Sequence, residues 1–218
     1  MRSATRRRLG RLCALVIALG VLAGCTTHAP PPIAPAELQL AREFPFFTTY
    51  WVGPDFQGIQ LTAADSQRDY DATVGMRVYY GTCGKPSSIL STSGCQLPVE
   101  IATVLYHPHT NEGLGTRREE VIRGVPAEVF AGGSSIELYT GRLAIDVYAA
   151  NPRLAAAAAA ALRPLNRPEA GPRDLPLPRF VAVVPGKKDP VDAQIRALAD
   201  RLQAAATATA ARHPRKRG

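Results

Sequence analysis

Ser135-Ile136-Glu137-Leu138-Tyr139-Thr140-Gly141-Arg142-Leu143-Ala144-Ile145-Asp146-Val147-Tyr148 reads as two β-strands joined by a tight turn. Residues 135–139 and 143–148 are rich in β-branched and aromatic side chains, and Thr140-Gly141-Arg142 is a compact hairpin connection. In the second strand Leu143, Ile145 and Val147 share one face, while Ala144, Asp146 and Tyr148 share the other. That alternation predicts an antiparallel sheet with one face buried.

The same pattern recurs upstream. Thr48-Thr49-Tyr50-Trp51-Val52 is β-rich and stops at Gly53-Pro54. Residues 58–62 and 74–80 alternate, 98–106 (PVEIATVLY) continue the series, and 118–123 and 127–130 flank Gly124-Val125-Pro126. Gly132-Gly133-Ser134 reads as a turn before Ile136. Two helices come late. Asn151 is a good N-cap, Pro152 suits the first turn, and residues 153–163 follow until Pro164 stops them. The run of alanines at 155–161 combines high helix propensity with side chains small enough for close approach to a sheet. Leu154 and Leu162 supply the larger knobs. A second helix is expected to start at the cap Asp189, with Pro190 behind it. Its apolar stripe is Val191, Ile195, Leu198 and Leu202. Prolines at 164, 168, 172, 176 and 178 mark a linker, and 180–184 looks like a short strand. The expected fold class is α+β, an antiparallel meander with helices packed on one face.

The chain has 218 residues and a formal net charge of +8, a length that fits one domain with a small appendage. The charge is unevenly placed. Residues 1–24 carry five arginines and no acid, and residues 212–218 carry Arg212, Arg215, Lys216 and Arg217. Between them 17 bases face 18 acids. The basic character therefore belongs to the two ends and does not indicate a nucleic-acid partner. The C-terminal tail suits either a solubilising terminus or contact with anionic lipid headgroups.

The N-terminus reads as an export signal. A basic stretch through Arg11 precedes an apolar run over residues 12–24, too short at roughly 20 Å to span a bilayer core of roughly 30 Å. Leu22-Ala23-Gly24-Cys25 resembles the lipobox of bacterial lipoproteins. The resemblance implies that signal peptidase recognises Leu22, Ala23 and Gly24, and that Cys25 carries diacylglycerol and, with palmitate or a similar acyl chain, becomes the membrane anchor. A non-lipidated secretory signal cut near Ala23 is the alternative. Thr5-Arg6-Arg7-Arg8-Leu9-Gly10-Arg11 also resembles a twin-arginine motif, with Arg11 where that family usually has lysine. Both export routes stay open. Residues 25–43, rich in Ala and Pro at their start, read as a semi-rigid tether.

With Cys13 removed in the signal and Cys25 acylated, Cys83 and Cys95 remain, and outside the cytoplasm such a pair is expected to form a disulfide. A redox or metal pair lacks CxxC spacing. Tyr106-His107-Pro108-His109-Thr110-Asn111-Glu112 is the sharpest candidate for metal chemistry, because His107, His109 and Glu112 are ligand types found in zinc sites. Pro108, Gly113 and Gly115 mark an exposed loop, where such residues need no function, and that reading is preferred. Asp65, Asp69 and Asp71 lack calcium-loop spacing and, like Glu119 and Glu120, read as solvated. No Gly-x-Ser-x-Gly elbow, dinucleotide fingerprint or phosphate loop occurs. Phe44, Phe46, Phe47, Tyr50 and Trp51 suit either core or a ligand pocket, with core preferred.

The segment 50–58, the paired cysteines and the ending Leu162-Arg163-Pro164-Leu165-Asn166 resemble uncharacterised lipoproteins of high-GC Gram-positive bacteria, over roughly residues 46–166. The 22 arginines against four lysines suit a GC-rich genome. The resemblance implies no activity. The expected organisation is a signal at 1–24, the tether at 25–43, and a globular domain at 44–166. A Pro-rich linker follows at 167–179, then a strand and helix at 180–211 and a basic tail at 212–218. The expected role is a non-catalytic, membrane-anchored module binding an envelope protein or small ligand outside the cytoplasm, with no cofactor. A metal-dependent enzyme or metal-binding protein using His107 and His109 is the alternative.

Overall fold

The computed structural model describes residues 31–68, 74–81, 98–106, 116–167, 175–183, 185–186, 189 and 191–212. Helix α1 spans Pro35–Arg42. The strands are β1 (Tyr50–Trp51), β2 (Asp55–Phe56), β3 (Ile59–Arg68), β4 (Val74–Tyr80), β5 (Val99–Leu105), β6 (Arg118–Ile122), β7 (Val125–Phe130), β8 (Ser135–Thr140), β9 (Leu143–Ala149) and β10 (Arg163–Pro164). Helices α2 (Pro152–Ala161) and α3 (Ala193–Arg212) complete the chain. The architecture is α+β. Eight strands form one antiparallel sheet in the order β2-β3-β4-β5-β9-β8-β7-β6, and β1 pairs with β10. Two four-stranded meanders thus meet where β5 pairs with β9, from Val99↔Ala149 to Leu105↔Leu143.

One face, here called inner, holds the main core. Met76, Val78 and Tyr80 of β4, Ile101 of β5, Ile145 and Val147 of β9 and Leu138 of β8 all point into it. Helix α2 closes this face with Ala155, Ala158 and Ala159 fully buried, one methyl-only stripe at helical spacing. Its start is as the sequence suggests: Asn151 Oδ1 accepts from Leu154 N at 2.9 Å. Its end comes earlier, at Ala161. Leu162 turns extended (φ −52°, ψ 136°), and Arg163, restricted by the following proline, pairs as strand with Trp51.

Helix α1 lies within the stretch read as tether. Pro35 at its first turn, Glu37 near its positive end and Arg42 in its last turn are favourable helix signals. Ala41 and Phe44 are buried in the main core, and Ile33 N donates to Leu61 O, so the folded domain begins near residue 33 rather than 44. Glu37 also shields an edge, its carboxylate accepting from Ala64 N at 2.7 Å.

Three further expectations are corrected. Asp65 lies inside β3 opposite Arg77, not in a loop, because β3 runs well past Thr62. The second half of the Pro-rich linker is docked: Leu175 is buried, and Pro176 O accepts from Gly141 N at 3.2 Å and Thr140 Oγ1 at 2.7 Å. Residues 180–183 are not a strand; Phe180 instead packs on Tyr106, with ring centroids 5.1 Å apart. Helix α3 is capped by Asp192, whose Oδ1 accepts from Gln194 N at 2.7 Å, while Asp189 accepts from Val191 N. It packs with Val191 and Ile195 against Tyr139 on the outer face. The expected layer of helices on one face therefore holds α1 and α2, and α3 stands on the other.

Two polar clamps fix the ends. Asn166 Oδ1 accepts from Thr49 N (2.9 Å), and its Nδ2 donates to Phe44 O and Phe47 O (both 2.8 Å). Arg123, at positive φ in the two-residue turn with Gly124, donates to Leu162 O at the negative end of α2. Asn166→Ala removes three hydrogen bonds and is expected to destabilise the fold by about 3 kcal/mol, at about 1 kcal/mol net for each. Urea denaturation checks this, and an unchanged midpoint would contradict the clamp.

Candidate functional site

The outer face owes its character to one acid placed in each of several apolar strands. Cross-strand register sets these acids in a line. Asp65 opposes Arg77, Arg77 opposes Ala102, and Ala102 opposes Asp146. Asp146 then opposes Glu137, Glu137 opposes Glu128, and Glu128 opposes Glu119. Neighbouring strands lie about 4.8 Å apart, so the row holds five acids and one arginine within seven strand positions. A second row runs beside it, Tyr79–Glu100–Tyr148–Ser135.

Burial differs along the row and decides the chemistry. Glu128 is 0% exposed and Glu137 is 4% exposed, whereas Tyr148 is 38% exposed. Asp146 and Glu100 lie between these extremes. At the α3 end, charge is compensated by a chain of contacts. Arg117 Nη1 sits 3.3 Å from Glu128 Oε1, and Arg117 Nη2 donates to Asp192 Oδ2 at 2.8 Å. Tyr139 OH donates to Glu128 Oε2 at 3.0 Å. An aromatic trio, Tyr106, Tyr139 and Phe180, packs beside these groups, and Arg196 lies 4.8 Å from the Phe180 ring centroid. At the seam end, Arg77 Nη1 pairs with Glu100 Oε1 at 3.3 Å.

Proton affinities follow from this placement. Burial, reinforced by Asp146 and Glu128, pushes the Glu137 carboxyl well above the usual glutamate range. Burial also raises Glu128, opposed by Arg117, and Glu100, opposed by Arg77. The negative charge of Asp146, then burial, raises Tyr148. Burial and then Glu100 push Tyr79 up to about 12. The face thus favours protonated or positively charged species. Among the described residues no group of three or more His, Cys, Asp or Glu is arranged to hold a metal ion.

The residues singled out from the sequence fall elsewhere. Leu22, Ala23, Gly24, Cys25, Cys83, Cys95, His107, His109 and Glu112 all lie outside the described residues. Of the aromatic cluster, Phe44, Tyr50 and Trp51 are buried in the core and Phe46 is 68% exposed. Sequence reading placed Asp146 on the polar face but missed its alignment with Glu137 and Glu128. The available signal was a lone acid inside each of VPAEVF, SIELYT and LAIDVYA. No protein-family model, curated protein or solved structure matches this chain significantly.

A pH prediction follows. Glu137, Glu128 and Glu100 have folded-state affinities above their unfolded ones. Their contribution to stability is therefore full below about pH 4.5 and is lost as pH rises through the raised values. Asp189 and Asp192 are shifted down, by the Arg196 hydrogen bond and by hydrogen bonds from Gln194 N and Arg117 that outweigh burial, and act oppositely in strong acid. Melting temperature should rise on acidification from neutral pH and fall again below the ordinary carboxylate range. Glu137→Gln should raise the neutral-pH melting temperature and flatten the gain; a lowered value would contradict the buried-acid assignment.

Proposed function

We propose that this chain is a lipid-anchored, extracytoplasmic protein of the cell envelope that binds a ligand or partner without catalysing a reaction. The observation that carries the binding role is the polar outer face, where reachable Tyr148, Asp146 and Glu100 border the buried acids Glu137 and Glu128. Leu22-Ala23-Gly24-Cys25 supports acylation at Cys25, with Leu22, Ala23 and Gly24 recognised by the signal peptidase. The ten residue steps from Cys25 to Pro35 reach at most about 36 Å, a short leash that keeps the domain close to the membrane. Two acyl chains give stable anchoring where a single chain binds only marginally.

A Cys83–Cys95 disulfide belongs to the same reading. Tyr80 pairs with Val99, and a Cβ on Gly81 would meet Pro98 side-chain carbons at 2.5 Å, so the two ends of the intervening segment are adjacent. Cys83 and Cys95 are close to those ends in sequence, which favours their pairing.

Cys25→Ser should shift the protein from the detergent-rich to the aqueous phase in cloud-point partitioning. Continued partition with detergent would contradict the lipid anchor. Cys83→Ser should lower stability in oxidising buffer by about 3 kcal/mol while leaving membrane attachment intact. An unchanged denaturation midpoint would contradict the disulfide.

A further inference from the structure

We infer that the exposed rim formed by α1 and the turn after it rests on the bilayer that holds the acylated Cys25, with Leu40 and Phe46 entering its apolar boundary. The inference goes beyond the binding-module reading and rests on the lipid anchor within it.

Leu40 is 70% exposed and Phe46 is 68% exposed, more than any other large hydrophobic side chain among the described residues. Single exposed apolar residues are ordinary on protein surfaces, but these two stand six positions apart in an apolar setting. Every exposed residue from Pro31 to Ala36 is a proline or an alanine, and residues 25–36 contain no Lys, Arg, Asp or Glu. Ala36 and Leu40, four apart, share an exposed side of α1, while Ala41 turns into the core.

Both side chains are held outward on a fixed support. Leu40 belongs to a helix pinned by Ala41 in the main core and by Glu37, whose carboxylate accepts from Ala64 N on β3. The Phe46 ring stands edge-on to the buried Phe44 ring, with centroids 5.3 Å apart and planes at 70°. Apolar groups presented in this way lose little conformational freedom when a membrane covers them.

The chain leading to the rim says what covers it. Ile33 N donates to Leu61 O, so the fold takes hold of the chain at residue 33. Eight residue steps separate Ile33 from Cys25, a reach of at most about 29 Å. Helix α1 starts two residues later and is the described element nearest the anchor along the chain. A tether of that length raises the effective concentration of the rim at the bilayer. A contact too weak to hold the free protein is then populated once the acyl chains are inserted.

Charge selects the layer of the membrane. The exposed charges between the two side chains, Arg42 and Glu43, are opposite in sign, and Glu37 is engaged by β3. A rim without excess positive charge suits the boundary of headgroup and acyl chain, where Phe and Leu of surface-bound helices lie, rather than an anionic headgroup layer. The contact is therefore expected to withstand salt.

Tryptophan fluorescence of the acylated full chain in phosphatidylcholine vesicles tests the inference. Phe46→Trp adds an indole to the buried Trp51 that every variant shares. Its emission should shift to the blue, be quenched by lipids brominated near the acyl carbonyls, be shielded from aqueous acrylamide, and stay so in high salt. Leu40→Trp should give the same reading from α1 itself. Val181→Trp is the control: Val181 is 59% exposed, and its carbonyl accepts from Arg196 of α3, on the other face of the sheet. It should be open to acrylamide and untouched by the brominated lipid. Leu40→Ser added to Phe46→Trp should raise acrylamide quenching while the protein still floats with the vesicles. Phe46→Trp and Leu40→Trp proteins that float but are as open to acrylamide as Val181→Trp would overturn the docking. So would lipid quenching that disappears in high salt. The mass of Cys25 and flotation are read on the same samples. Unacylated protein that stays in solution defeats anchor and docking together, and acylated, floating protein with solvated indoles defeats the docking alone.

Discussion

The pairing of β5 with β9 is the constraint on which the remaining structure depends. Residues 99–105 and 143–149 run antiparallel in unbroken register, and this one seam turns two local meanders into a single sheet. Every other main-sheet pairing joins strands that are neighbours in sequence. The seam is long-range, so its loop-closure entropy must be recovered by packing, and Val99, Ile101, Ile145 and Val147 on the inner face recover it as wholly buried side chains.

A fixed register also fixes what stands opposite what on the outer face. A slip of one residue would turn Asp146 and Glu137 into the apolar core in place of Leu138 and Ile145, both 0% exposed there. The same rule that places Leu138 and Ile145 in the core therefore holds the acids in line. Their burial costs stability, and Arg117, bridging Glu128 to Asp192, offsets part of it while fastening α3 to the sheet. The proposed binding face and the attachment of α3 thus share one row of side chains. The sheet edges are guarded differently: Glu37 of α1 caps a β3 amide, and β6 carries Arg118, Glu119 and Glu120 at the other margin.

Local signals made much of the fold legible. The alternation through 135–148, the Asn151-Pro152 cap and the alanine stripe of α2 each state their structure within a few residues. Helix α1 has equally good signals in Pro35, Glu37 and Arg42, but the prolines at 30–32 and 35 make the whole stretch look extended. Phe180-Val181-Ala182-Val183 has strand composition, yet Phe180 is spent on the aromatic trio with Tyr106 and Tyr139. Composition describes a side chain's preference, and pairing needs a partner strand. The acid row was illegible for a related reason: each acid is visible alone, but Asp146, Glu137, Glu128 and Glu119 align only through the registers of successive hairpins, and the seam then adds the Ala102–Arg77–Asp65 end.

The most direct test is a carbon-detected NMR titration of the individual carboxyl groups. The account predicts a Glu137 midpoint well above the ordinary glutamate range and a Glu128 midpoint also raised, with Asp189 and Asp192 titrating below the usual aspartate range. Ordinary midpoints for Glu137 and Glu128 would mean that the row is solvated, and would contradict both the β7–β8–β9 register that buries these acids and the site built on it.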